Sequence, residues 1–349
     1  MSSEQKPPNY RDIALKAGVS VASVSLALRN DPSVSAPVRA RIKEAAKEMG
    51  YRPNPLLSAY QASIRSRRPA MFRATLGWIN DHADQNAWRK PWMQPIRDGA
   101  LARAQELGYE LDEMWFPEIR SETPEESARK IQKTLRARGI VAVILPSLER
   151  GHHAVHPWEG FTVVCIGDHR LLLKQSTFQP QAIHEHHRVN SNDLYNIQLA
   201  FGKLSDHGRE RIGLVVARHA DNETSYAFTS GFLRAQMDLQ ARRRVPILFS
   251  TEIADVTAWA KKHKPDAVIC IHADVPEGVK RAGFKVPQEV VVAHMNLAAD
   301  VPALVGIDRR MDLLGSAAVD MLTAHLIRNE NGVPPYAKAM SIEGVWVGG

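Results

Sequence analysis

From residue 71 onward, short apolar runs alternate with amphipathic stretches, and this alternation restricts the fold more than any other feature of the chain. Runs of strand length occur at 74–80, 110–116, 140–146, 161–167, 211–217, 245–249, 267–272 and 290–295. Helical spacing fills 95–107, 124–138, 194–207, 227–240, 256–262 and 311–328. Strands separated by helices predict parallel sheets covered on both faces. The strands are followed by no Gly-x-Gly-x-x-Gly, no Gly-x-x-x-x-Gly-Lys loop and no Gly-x-Ser-x-Gly elbow, so dinucleotide, nucleotide and hydrolase readings lack support. The acidic residues form no paired acid/base constellation, so the chain is read as a non-enzyme without a cofactor.

The 349 residues suffice for about two to three domains. A membrane-spanning apolar run is absent from the sequence, and the opening MSSEQKPPNYRD has none of the apolar character of a secretion signal. The two cysteines, Cys165 and Cys270, sit inside apolar runs and read as buried reduced thiols. The expected location is cytoplasmic and nucleoid-associated.

The formal net charge of +7 is unevenly placed. Residues 1–70 hold twelve Lys/Arg against five Asp/Glu, while 71–349 are balanced at thirty-three of each. A positive segment on a neutral body suits a phosphate backbone. Within that segment, Ile13, Ala14 and Ala17 fall at helical spacing and Gly18 ends the helix. Ser20 is placed to cap a second helix carrying Val24, Ala27 and Leu28 on one face. Ser35 is placed to cap a third, about 36–49, whose face is Val38, Ile42, Ala45, Ala46 and Met49. Two short helices joined by a turn of three or four residues make a helix-turn-helix, whose second helix enters the major groove.

The run Asp12-Ile13-Ala14, Ala17-Gly18-Val19-Ser20, Ser23-Val24-Ser25, then Val34-Ser35, Arg39 and Gly50-Tyr51-Arg52-Pro53-Asn54 resembles the head of the lactose-repressor (LacI-type) regulators. The resemblance implies a head over 1–52, a hinge over 53–70 and an effector-binding, dimerising body over 71–349. It places base-reading residues at Val21, Ala22 and Leu26, none able to make bidentate hydrogen bonds, so thymine methyls and groove shape are the expected targets. Arg29 and Asn30 are the nearest polar readers. Tyr10, Ser20, Ser23, Ser25 and Arg52 fit phosphate contacts, with Asn54 beside them, and each serine equally fits a helix cap or surface hydroxyl.

Pro53 and Pro55 interrupt the third helix, and 56–64 can form two helical turns before Arg65, Arg67 and Arg68. In the resembling family this is a hinge helix that wedges the minor groove; Tyr60 takes the wedge position here, with Leu57 one turn earlier. A flexible linker that orders only on DNA fits the same residues.

The resemblance continues through Arg211-Ile212-Gly213-Leu214-Val215, Gly231-Phe232, Val286-Pro287 and Gly306-Ile307-Asp308. It implies a periplasmic-binding-protein-like body of two Rossmann-like lobes, an α/β fold behind the all-α head. The N-lobe is expected over 71–189 plus 301–331 and the C-lobe over 190–300 plus 332–349, with crossings near Val189, Val301 and Gly332. Ligands of such sheets sit beyond the carboxyl ends of the strands. Those ends offer Asn80 and Asp81, Asp168, Tyr226 and Phe228, His272, and Asn296 as effector-binding residues. Phe228 replaces an arginine that sugar-binding members carry, and Met295 and His272 replace an aspartate and an asparagine. Trp88, Trp92 and Trp115 fit either sugar stacking or core packing.

His184, His186 and His187, with Glu185 between, are read as a solvated loop rather than a zinc site, since a fourth ligand is not evident. The combined reading is a homodimeric, sequence-specific DNA-binding regulator, expected to be a repressor, whose partners are a double-stranded operator and a small-molecule effector with carbohydrate as a candidate class. An architectural DNA-binding protein without ligand response, and a solute-binding module, are the rivals.

Overall fold

The computed structural model describes residues 10–28, 32–49, 74–80, 82, 84–116, 124–146, 158, 160–167, 186–297, 305–328 and 330–348. The expected sites Arg29, Asn30, Arg52, Asn54, Leu57, Tyr60, Asp81 and Asp168 lie outside these residues, as do His184, Glu185 and the whole hinge 53–70.

Three helices form the head: α1 (Tyr10–Ala17), α2 (Val21–Leu28) and α3 (Ala36–Glu48). Their apolar faces converge on Ile13, Ala14, Val24, Ala27, Ile42 and Ala45. Gly18 takes φ +61 between the first two helices, a left-handed turn that suits a residue without Cβ. The Ser23 amide donates to Ser20 Oγ at 3.1 Å, so the expected cap of α2 forms. Ser35 occupies the N-cap position of α3 but its side chain makes no capping bond; Pro37, early in the helix, has no amide hydrogen to satisfy.

The body runs β1 (Thr75–Asn80), α4 (Gln94–Glu106), β2 (Glu110–Trp115), α5 (Pro124–Ala137), β3 (Ala142–Leu145), β4 (Thr162–Ile166) and β5 (His187–Ser191). It crosses into α6 (Asp193–Asp206), β6 (Ile212–Val215), α7 (Arg218–Glu223), α8 (Ala227–Gln236), α9 (Ile253–His263), β7 (Ala267–Cys270), α10 (Val275–Arg281), β8 (Val291–His294) and β9 (Val305–Asp308). It returns through α11 (Met311–Ile327) and β10 (Ala339–Ile342) before β11 (Val345–Val347). One sheet has the order β10-β5-β4-β3-β1-β2 and is parallel throughout. The other has the order β11-β9-β8-β7-β6, parallel except that β11 runs against β9.

Sheet membership moves two of the three crossings. The chain leaves the first lobe at Asn192, close to the expected Val189, but returns at Arg309 and crosses last after Ile342. β10 and β11 have no fully buried residue and β9 has only two, so none of the three stands out as an apolar run. The expected strand at 245–249 pairs only through a parallel bridge between Val215 and Leu248. Pro246 has no amide hydrogen to extend that ladder.

In the first lobe, α4 and α11 approach so closely that a Cβ on Gly315 would lie 1.8 Å from Ile96 O, and one on Gly99 2.0 Å from Asp312 O. The contact buries Ile96, Ala100, Ala104, Leu314 and Ala318 against one sheet face. At the amino ends of the strands, His186 and His187, expected in a solvated loop, are instead interior. His186 is 1 % exposed, and the His187 ring stacks on that of His325 at 3.9 Å and 14°. The Lys338 amide donates to His187 Nδ1 at 3.0 Å, which places the ring proton on Nε2 and ties β10 to β5. Burial pushes both His186 and His187 down to about 4, with His325 and Lys338 adding to the effect at His187. Arg328, then His325, hold the Glu330 carboxyl down at about 2. Cys165 and Cys270 are buried reduced thiols, pushed up to about 12 by burial.

Gly315→Ala is expected to lower stability by about 1–3 kcal/mol or more, through forced separation of α4 and α11, read as a reduced urea midpoint. The histidines are neutral when folded and charge more readily when unfolded. The stability they confer is therefore present above about pH 6.5 and lost as pH falls toward about 4. For His186 the loss is on the order of 3 kcal/mol at the acid limit. Urea midpoints at pH 7 and pH 5 should differ less in His186→Leu than in the parent; an equal difference removes the assignment.

Candidate ligand cleft and nucleic-acid interface

The carboxyl ends of both sheets face a common cleft of about 630 Å³. Its first-lobe wall is apolar, built by Trp92, Ile96, Ile166, Met311 and Leu314. Its second-lobe wall is more polar, with His219, Glu223, Ser225, Ser230, His272 and Asn296. Asn190, Ser191, Asn192, Asp193 and Arg309, at two of the crossings, also line it.

The crossings are joined by one hydrogen-bonded node. Arg309 Nη2 donates to Asp193 Oδ2 at 2.5 Å and Arg309 Nε to Ser191 Oγ at 3.2 Å. Ser191 Oγ donates to Asp193 Oδ1 at 2.8 Å, and Asn196 Nδ2 lies 3.0 Å from Ser191 Oγ. Asn196 Oδ1 accepts from the Gly344 amide at 2.8 Å, bringing in the third crossing. The Asp193 and Arg309 side chains are only 5 % and 13 % exposed. Burial makes the pair mutually dependent, because either charge alone would be desolvated without compensation.

The expected effector residues divide. Phe228, His272 and Asn296 line the cleft, although Phe228 is 1 % exposed and belongs equally to the second-lobe core. Asn80 is not on the cleft wall: its amide donates to Gln85 O at 3.0 Å and accepts from the His82 amide at 3.1 Å, shaping the turn after β1. Tyr226 projects away, 47 % exposed, at the left-handed residue that starts α8. Of the three tryptophans only Trp92 lines the cleft. Trp88 is faced by the Arg97 guanidinium at 4.2 Å, and Trp115 Nε1 donates to His82 O at 2.9 Å. Sequence reasoning passed over Arg309, Asp193 and Ser191. Their signal was the unbroken polar run Asn190-Ser191-Asn192-Asp193 after Val189, and an arginine directly after Gly306-Ile307-Asp308.

Burial lowers the His272 pKa, with His219 and His294 adding to it. The His219 and His272 rings lie edge to face at 6.2 Å. Among the described residues no group of three or more His, Cys, Asp or Glu is placed to hold a metal. Nor is any described helix long and apolar enough to cross a membrane.

On the head, Val21 and Ala22 are exposed on the first turn of α2, whereas Leu26 packs partly against the head core. Tyr10 also packs there. Ser20 is committed to its cap and to a 2.8 Å bond with Ser23 Oγ, while remaining exposed. Ser25 lies within α2.

Residues 9–54 match the family described as bacterial regulatory proteins, lacI family, and 201–345 match the periplasmic binding protein-like domain. The HTH-type transcriptional regulator GalR of Streptococcus thermophilus is 24 % identical over 339 residues, covering 90 % of this chain and 92 % of its own. The HTH-type transcriptional repressor CytR of Escherichia coli (strain K12) is 52 % identical over 53 residues, 15 % of this chain and 16 % of its own. A solved structure of the transcriptional regulator CelR in complex with cellobiose shares the fold, with a TM-score of 0.56 and 17 % identity, covering 97 % of this chain and 98 % of that one.

Arg309→Met is expected to cost about 3–5 kcal/mol by stranding the Asp193 charge. The pair Arg309→Met with Asp193→Asn should cost less than the sum of the single changes; additive losses would show that the two residues act separately.

Proposed function

We propose, from a chain that belongs to the LacI-type transcriptional regulators by its helix-turn-helix head and periplasmic-binding-protein-like body, that it is a sequence-specific repressor whose operator affinity is set by a small molecule bound between the lobes. The observation that carries this reading is the cleft itself. It lies where two parallel sheets present their carboxyl ends, and its lining includes residues of the connections that any lobe motion must bend.

Two chains pair through their bodies and set two heads on a pseudo-palindromic site. Val21 and Ala22 meet base edges in the major groove, by apolar contact with thymine methyls. Arg29, Asn30, Arg52 and Asn54 supply polar contacts, and Leu57 and Tyr60 the minor-groove wedge. Ligand binding changes the angle between lobes, and with it the separation of the hinges over the operator. A sugar is the first class to test, since the CelR structure is of a cellobiose complex.

The architectural alternative draws on the same exposed Val21 and Ala22, which read little by hydrogen bonding. Retention of genomic fragments by the purified protein separates the two. One or a few palindromic sites should be recovered, with log K falling by about 0.9 per log unit of salt for each phosphate neutralised. Diffuse recovery without a shared motif favours the architectural protein.

A further inference from the structure

We propose that the end of the second lobe turned away from the cleft is a second nucleic-acid surface, which grips the phosphate backbone of a DNA duplex other than the one held by the head. This inference is independent of what the cleft binds. The carboxyl ends of both sheets face the cleft, so their amino ends point away from it, at opposite ends of the body. The chain arrives from the head at the amino end of β1, in the first lobe. At the other end, β6, β7 and β8 begin after the segments 207–211, 261–266 and 280–289, with 237–244 beside them. These four segments hold eleven Lys or Arg against four Asp or Glu, although residues 71–349 as a whole are balanced.

Hydrogen bonds draw the four segments into one surface. Arg211 Nε donates to Lys264 O at 3.2 Å, and its Nη1 and Nη2 donate to Arg242 O and His263 O. The Asp266 carboxylate accepts the amides of Glu210 at 2.8 Å and Arg211 at 3.0 Å. Arg209 Nη1 donates to Glu289 O at 3.4 Å, and the Lys285 amide to Glu289 Oε2 at 2.7 Å. Arg209 and Arg211 thus meet backbone carbonyls rather than carboxylates, and keep their charge uncompensated. Among the described residues only Arg243 and Arg281 of the eleven cations are ion-paired, to Glu210 at 2.6 Å and Glu277 at 2.8 Å. Arg242, Lys261, Lys262, Lys264, Lys280 and Lys285 are all exposed. Burial, then the Lys262 and Arg211 charges, lower the His263 pKa, so the local field is positive.

Folding alone does not call for this charge. Lys261, Lys262 and Lys280 lie in last turns of helices, where a cation offsets the helix dipole. No α-helix end accounts for Arg209, Arg242 or Lys285, and like charges gathered this closely repel one another. A polyanion relieves that repulsion. The pattern suits duplex DNA in particular. Adjacent strands lie about 4.8 Å apart, so successive connections present cations at close and regular intervals. A duplex presents one negative charge per about 1.7 Å of its axis, dense enough to meet them all at once. Guanidinium and ammonium groups both bind phosphate oxygens strongly. A protein partner is instead anchored by large apolar or aromatic side chains at the centre of its interface. Among the described residues of the four segments, Met237 is the only large exposed hydrophobic side chain.

The test loads the full chain on an immobilised genomic fragment that it retains, then offers a fluorescent duplex of unrelated sequence in solution. The parent should capture this second duplex, more weakly as salt rises. A combined variant, Arg242→Gln, Lys261→Gln, Lys262→Gln and Lys264→Gln, should keep the first duplex but capture the second at least about tenfold more weakly. Its slope of log K against log salt should be shallower by about 3 to 4, at about 0.9 for each phosphate contact removed. Its melting temperature should stay level or rise, as repulsion is relieved. Lys261→Arg, Lys262→Arg and Lys264→Arg together, which keep the charge, should preserve capture. Formaldehyde crosslinking of the parent to free duplex, followed by peptide mapping, should mark 237–244 and 261–266 whether or not a first duplex is retained. The proposal is overturned if the parent captures no second duplex, if the glutamine variant captures it as well as the parent, or if neither segment crosslinks. It is also overturned if polyglutamate, charge for charge, displaces the second duplex better than unlabelled DNA does, since the surface then fits an acidic protein. Retention of the first duplex is read separately, so a failure there bears on the head and the regulator reading alone.

Discussion

The ion pair of Asp193 with Arg309 is the interaction on which the two-lobed body depends. A single strand-to-helix connection would let one lobe swing freely on the other. Here three connections cross, and the pair, extended through Ser191 and Asn196 to the Gly344 amide, binds all three into one node. Apolar packing at the same place would be equally stable but less directional. Hydrogen bonds of fixed geometry let the lobes rotate while the crossings keep their register. The cleft opens beside that node, and Ser191, Asp193 and Arg309 are part of its lining.

Around the node, each lobe solves its packing separately. The first buries helices of small residues against the sheet, with Gly99 and Gly315 admitting backbone where a methyl group would not fit. The second places Phe201 and Phe232 edge to face at 5.7 Å behind its sheet, and Trp259 on the other side. Among its described residues the head has a core of nine buried side chains, mostly small, and an exposed Lys16 to Glu48 pair at 2.7 Å that adds little in water. Its charge matters more for meeting phosphate than for folding.

The division of charge therefore follows the division of labour. The net positive charge sits before residue 71, while the body is balanced overall and spends its one described cleft arginine internally.

The sequence by itself determined the elements whose signal is local. Gly18, the Ser20 cap and the spacing from Ala14 to Val24 specify the head, since turn chemistry and helical period act within a few residues. Buried strands such as 142–145 and 162–166 announce themselves because both faces must be apolar. The placement of His272 and Asn296 on the cleft wall was legible because each follows the carboxyl end of a parallel strand. Tertiary structure decided the rest. His186 and His187 are polar in sequence and interior in the fold, and the partners of His187, the His325 ring and the Lys338 amide, come from more than 130 residues away. Asn80 turned inward to its own loop rather than to the cleft. Asp193 and Arg309, 116 positions apart, acquire their role only when two lobes meet, for no local pattern records which distant charge will share a desolvated site.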